Sequence, residues 1–174
     1  MMLHRIITDF DVIGGSKDLL ERVDRYGARG VLLDENKKIA LMYMKKVDLF
    51  KLPGGGIEED ENSEVAFLRE IQEETGFECE IIEELGIVEE HKNINKFLQL
   101  SYCFLASKLP SDQNQSLSKN EQELGFELQW FELDHALRLL RQSFKKCEDY
   151  SMKFMMLRDA TILEYTIKSS TRVN

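Results

Sequence analysis

The chain has 174 residues, 43% hydrophobic and 32% charged, which suits one globular domain with a sizeable core and excludes a disordered chain. With 32 acidic against 23 basic residues the net charge is −9, arguing against general binding to nucleic acid or anionic membranes. No apolar run approaches the ~20 residues of a membrane span, and the first 13 positions carry His4, Arg5, Asp9 and Asp11 instead of a signal-peptide core.

Residues 5–13 read as an edge strand, Gly14-Gly15 as a turn and 17–26 as a short helix or extended arm, together an N-terminal extension of about 25 residues. Residues 30–33 and 38–43 flank Asp34-Glu35-Asn36-Lys37 as a hairpin. A short strand at 50–52 stops at Pro53-Gly54-Gly55-Gly56, the strongest turn signal in the chain. An acidic loop leads to a helix over 63–74 closed by Gly76, followed by strands at 79–88 and 96–107 joined through the polar 89–95. Residues 110–119 form a polar loop, 126–131 a strand, and Asp134 a cap for a helix to about 143. The last helix, about 150–168, carries Met152, Met155, Met156, Ile162, Leu163 and Ile167 on its apolar side. No repeat or linker divides the chain, so a single domain over 1–174 is expected, an α+β or α/β/α sandwich. Cys79, Cys103 and Cys147 have no C-x-x-C spacing, so neither a disulfide framework nor a zinc site is expected; the reducing cytoplasm fits best.

The helix after the glycines carries the chemistry. Asn62 is a suitable N-cap and Gly76 a suitable C-terminal glycine. At ~100° per residue, Val65, Phe67, Leu68 and Ile71 share one arc, expected to be buried, and Glu70, Glu73 and Glu74 form a separate stripe above the small Ala66. Such a stripe is often only a solvated face. Against that, like charges at this spacing cost a helix about 0.2–0.5 kcal/mol per pair, and Arg69 is the one basic neighbour. Convergent carboxylates suit Mg²⁺ or Mn²⁺, which also hold phosphate, and the glycine turn allows close backbone approach.

These residues resemble a family. Gly55-x5-Glu61-x7-Arg69-Glu70-Ile71-x-Glu73-Glu74-x-Gly76-Phe77 matches every fixed place of the Nudix box over residues 55–77. The surrounding order of elements, with Trp130 followed by a helix, is similar too, over roughly residues 26–142. Asp60 stands where relatives often carry glycine, with little effect expected because Asp tolerates the left-handed region. The resemblance implies a Nudix-like α/β/α sandwich with a mixed central sheet and an added C-terminal helix. It also implies a MutT-like pyrophosphohydrolase that cleaves a nucleoside diphosphate linked to another moiety, using Mg²⁺ or Mn²⁺.

Carried over by position, the resemblance makes Glu70 and Glu74 the principal metal ligands and Glu73 a ligand directly or through water. Arg69 orients a glutamate of the cluster, Glu61 ties the loop to the helix or joins the metal site, and Gly55 presents backbone to it. The general base is not fixed in one place by the family; Glu121, Glu123 and Glu127 are candidates in the later loop, with Glu123 favoured. Arg29 and Lys51 are read either as phosphate-binding residues or as ordinary surface charges, His91 as a solvated loop residue more than a cleft residue, and His135 as structural. The alternative function is a Nudix-like sensor that binds a nucleotide sugar without cleaving it; such domains tend to lose box carboxylates, and here all are intact. Substrate identity is not legible. The Met-rich last helix raises two expectations of equal weight, a homodimer or packing on its own domain.

Overall fold

The computed structural model describes residues 2–170, so Met1 and residues 171–174 of the expected domain lie outside the described residues. In chain order the elements are β1 (Leu3–Thr8), α1 (Asp9–Ile13), β2 (Arg25–Leu33), β3 (Ile39–Met44), β4 (Leu49–Lys51), β5 (Gly54–Gly56) and α2 (Ser63–Thr75). There follow β6 (Cys79–Lys92), β7 (Phe97–Lys108), α3 (Lys119–Leu124), β8 (Phe126–Phe131), α4 (Leu133–Lys146) and α5 (Tyr150–Ser170).

The strands make one mixed sheet in the order β1-β6-β7-β2-β3-β4, with β5 paired to β2 and β8 to β3. β1 runs parallel to β6 and β2 parallel to β7; the other pairings are antiparallel. The period of two along each strand divides the core into layers. Ala28, Leu32, Phe104 and Ala106 face α2 through Ala66, Phe67 and Ile71. Val31, Leu41 and Cys103 face the opposite side, where Ala136 and Leu140 of α4 and Phe154, Ile162 and Leu163 of α5 cover them. The result is an α/β/α sandwich with α5 in its outer layer.

Local chemistry explains where the elements differ from the sequence reading. The strand expected over 5–13 stops at Thr8, because Asp11 accepts from the Thr8 backbone N–H at 2.9 Å and starts the one-turn α1. The arm after it is neither helix nor strand until Arg25. The hairpin expected between 30 and 43 is only a junction: β2 and β3 pair at Leu33 and Ile39, after which β3 turns to β4 and β8. β6 continues to Lys92, deeper into the polar link than expected, since Glu90, His91 and Lys92 are buried against other parts of the chain. α4 begins two residues earlier than read, with Glu132 at the cap and Asp134 in the first turn. Asp60 is not among the residues with positive φ, so the tolerance invoked for it is not needed. On α5, Phe154, Met156, Ile162 and Leu163 are buried against the rest of the chain, whereas Met152, Met155 and Ile167 are only half-buried.

Candidate active site

The site grows from α2 and the strand in front of it. The Asn62 side chain accepts from the Val65 N–H at 2.9 Å, and Gly76 ends the helix at φ 81°. The helix then presents an unexpected face. Val65 is 50% exposed and Leu68 37%, while Ala66, Phe67, Glu70, Ile71, Glu74 and Thr75 are buried. The expected burial of Val65 and Leu68 is therefore corrected. At ~100° per residue the buried positions span roughly 100° to 280°, and Glu70 and Glu74 lie in the middle of that arc. The two acids are not a stripe beside the core; they point into the protein.

What receives them is the glycine strand β5. Its Gly54 N–H donates to Glu74 Oε2 at 2.9 Å, and Lys51 Nζ donates to Glu74 Oε1 at 2.8 Å and to the Gly54 carbonyl at 3.1 Å. Gly54 sits at φ 138°, a conformation side chains rarely adopt, with Arg29 directly behind it. At Gly55 the need is space: a Cβ there would lie 2.3 Å from Glu70 Oε1. Backbone and carboxylate are packed against each other, as the close-approach reading of Gly55 requires.

Arg69 ties the loop and the helix together. Its Nε and Nη2 hold the Glu61 carboxylate at 2.5 and 2.9 Å, Nη2 also reaches the Gly56 carbonyl at 2.9 Å, and Nη1 donates to Glu70 Oε1 and Glu73 Oε2, each at 3.0 Å. The hydrogen bonds from Arg69 hold the Glu61 carboxyl down to about 2. Burial acts in the other direction on the inward pair. It raises Glu70 against the pull of Arg69 and Lys51, and pushes Glu74 up to about 7 although Lys51 partly offsets it.

One further acid joins them. Carboxylate oxygens of Glu70, Glu74 and Glu121 all lie within 4.8 Å of one another. Glu121 is the N3 residue of α3, where its side chain accepts from the Ser118 N–H at 2.7 Å and is aimed by that capping box. Glu123, two residues on, is exposed and outside this cluster, as is Glu127, which pairs with Lys45 at 3.5 Å. Glu73 also stands apart from the three, 40% exposed at its side chain and engaged by Arg69. Three convergent hard oxygen donors, two of them buried with raised proton affinity, fit a divalent cation such as Mg²⁺ or Mn²⁺.

Beside the cluster opens a cavity of about 310 Å³ whose lining includes Gly55, Glu74 and Glu121. Arg29 and Lys51 line it and are 3% and 4% exposed, so neither is an ordinary surface charge. Burial, with Arg158 nearby, lowers Arg29 to about 10. His91 is buried rather than solvated and is not in this cavity: it accepts from the Leu20 N–H at 2.9 Å and lies 3.2 Å from Glu89. His135 packs edge-on against Phe131, a structural place. Arg25, Lys92 and Arg158 also line the cavity, and the sequence reading singled out none of them.

The chain is similar to known proteins in sequence and in fold. A family model described as the NUDIX domain matches residues 24–150. A Bacillus subtilis protein named as an 8-oxo-dGTP diphosphatase is 38% identical over 66 residues, covering 38% of this chain and 44% of that one. Mouse diphosphoinositol polyphosphate phosphohydrolase 3-alpha is 25% identical over 107 residues, 62% of each chain, so the similarity spans less than two thirds of either relative. A crystal structure titled MutT NUDIX hydrolase from Burkholderia pseudomallei superposes with a TM-score of 0.53 at 26% identity, covering 66% of this chain and 86% of the other.

Proposed function

The chain belongs to the NUDIX-domain family, and on that basis we propose that it is a divalent-metal-dependent hydrolase of a diphosphate bond in a nucleotide derivative. The observation that carries this reading is the approach of Glu70, Glu74 and Glu121 to one another beside a cavity lined with cations. Glu70, Glu74 and Glu121 would hold Mg²⁺ or Mn²⁺. When bound, such an ion polarises phosphate oxygens and lowers the pKa of a coordinated water.

The remaining roles belong to the chain's own groups. Lys51 and the Gly54 N–H fix the Glu74 carboxylate in one orientation. Arg69 does the same for Glu70 while holding Glu61 and Glu73, so Glu73 acts on the site through the arginine. Gly55 keeps the wall in front of Glu70 free of side chain. Glu121, not Glu123, is the acid of the later loop placed to hold or accept a proton beside the reacting phosphate, because its carboxylate alone of the two reaches the cluster.

The intact set Glu61, Arg69, Glu70, Glu73 and Glu74 favours hydrolysis over a nucleotide-sugar sensor, since buried carboxylates with raised proton affinity are costly to keep where no chemistry uses them. The names of the two relatives, an 8-oxo-dGTP diphosphatase and a diphosphoinositol polyphosphate phosphohydrolase, both describe phosphoanhydride cleavage, with different groups attached. Three buried free cysteines are compatible with a cytoplasmic setting. The test is a panel of oxidised and ordinary nucleoside triphosphates, nucleotide sugars and other capped diphosphates, assayed with Mg²⁺ and with EDTA. Cleavage of at least one class with Mg²⁺ and none with EDTA is expected; binding of a nucleotide sugar without turnover of any compound would replace the hydrolase by the sensor.

A further inference from the structure

The cavity beside the carboxylate cluster has an unusual wall for a protein of net charge −9. Five cations line it, Arg25, Arg29, Lys51, Lys92 and Arg158, against two acids, Glu74 and Glu121. Lys51 is taken by Glu74. The other cations are only partly answered. Arg29 makes one side-chain hydrogen bond among the described residues, from Nε to Ser101 Oγ at 3.1 Å, and no ion pair. Lys92 Nζ stands 3.7 Å from Glu90 Oε1, beyond a hydrogen bond, and Glu90 Oε1 has no hydrogen-bond partner.

Arg158 is the most informative of them. It lies on α5, beyond the residues 24–150 that the family model covers, and is 2% exposed. Its Nε donates to Asp159 at 2.8 Å and its Nη1 to Glu90 at 3.0 Å, while Nη2 has no partner among the described residues. A buried guanidinium nitrogen without an acceptor has lost its water without replacement, which destabilises the empty protein. Leaving several cations under-compensated around one cavity is a cost that an anionic ligand removes. A neutral sugar offers them hydroxyl acceptors but no negative charge.

Building on the hydrolase reading, we propose that Arg29, Lys92 and Arg158 form an anion subsite next to the carboxylate cluster, and that it takes a phosphate group the substrate carries beyond the diphosphate being cleaved. The substrate class is then a nucleotide derivative with a further phosphate, not one ending in a neutral sugar. Arg29 uses only its Nε among the described residues, leaving a pair of terminal nitrogens for phosphate oxygens, and Arg29, Lys92 and Arg158 exceed the buried Glu90 and Asp159 by one positive charge, which an anion completes. Two sources share this chemistry: the end of a linear polyphosphate chain, and a phosphate borne on a sugar or other ring.

The experiment reads binding apart from turnover. The full chain, freed of metal with EDTA, is titrated calorimetrically with inorganic tripolyphosphate and with fructose 1,6-bisphosphate. The parent is expected to bind at least one, tripolyphosphate more tightly if the source is a linear chain and the bisphosphate if it is a ring. Lys92→Gln and Arg158→Lys are expected to weaken that binding at least tenfold. Arg158→Lys keeps the charge that Glu90 and Asp159 require but replaces three guanidinium nitrogens by one; should it fail to fold, Lys92→Gln and Arg29→Gln decide. No binding by the parent, or unchanged binding in folded variants, overturns the subsite. Turnover of nucleotides with Mg²⁺ is measured separately: binding lost in the variants supports the subsite even where no nucleotide is cleaved, whereas turnover without such binding overturns the subsite and leaves the hydrolase reading standing.

Discussion

Replacing Glu74 by Gln separates two consequences of burying this carboxylate. Burial raises its pKa from 4.5 to about 7, so between those values the metal-free folded protein holds a proton that the unfolded chain has released. Stability from this group is therefore full below pH 4.5, falls as pH rises, and is lost above 7. The shift corresponds to about 3 kcal/mol at ~1.4 kcal/mol per pKa unit. Glutamine removes the titration and also one acceptor, since Lys51 and the Gly54 N–H each use a different Glu74 oxygen. The second acceptor exists only where Glu74 is ionised, so its loss is already part of the titration and adds little at pH 5. The informative quantity is thus the difference in slope. In EDTA, denaturant melts at pH 5 and pH 8 should show the parent losing about 2.5 kcal/mol more than Glu74→Gln over the interval. With Mg²⁺ at pH 8 the parent should gain stability that the variant does not, and turnover of the variant should fall a hundredfold or more, about 2.7 kcal/mol in the barrier. Parallel pH profiles would refute the burial argument, and parental turnover would refute the assignment of this helix to catalysis.

Three further outcomes follow from the same geometry. Gly55→Ala puts a methyl group 2.3 Å from Glu70 Oε1, so the carboxylate must move; turnover should drop at least tenfold while circular dichroism stays parental. Glu121→Gln should lower turnover at least tenfold and weaken Mg²⁺ binding measured calorimetrically, whereas Glu123→Gln should leave both near parental; equal effects would remove Glu121 from the site. Burial pushes Cys79 and Cys103 up to about 12 and raises Cys147, so at pH 8 a thiol reagent should modify none of them quickly in the native protein and all three after denaturation.

The sequence carried the limits of α2 and the identity of its acids, because Asn62, Gly76 and the box spacing are local signals. β8 ran over 126–131 as read, for the same reason. The face of α2 was hidden. A helical wheel sorts residues by hydrophobicity, and here the inward arc holds Glu70 and Glu74, whose burial is compensated by Lys51, Arg69 and the Gly54 N–H, contacts supplied by a distant strand and loop. Choosing Glu121 over Glu123 also needed the third dimension, although a signal was present: Ser118-x-x-Glu121 has capping-box spacing and marks a helix start that fixes where Glu121 points. Arg158 left no local mark, since one arginine in an amphipathic helix reads as part of a hydrated face.

The buried charges connect the two halves of the molecule. Asp159 Oδ2 accepts from the Leu52 N–H at 2.9 Å, just ahead of Pro53 and the glycine strand, while its Oδ1 accepts from Arg158. One pair of neighbours on α5 therefore both holds the segment that presents Gly54 to Glu74 and lends a guanidinium to the cavity. This accounts for how an acidic chain offers a cationic cavity. Its acids are largely at the surface, where salt screens them beyond ~8–10 Å. Arg29, Lys51, Lys92 and Arg158 are instead enclosed in a low-dielectric wall, where their field is focused on what enters. Glu90 and Asp159 make that enclosure tolerable in the empty protein, leaving positive charge enough for an incoming phosphate to complete.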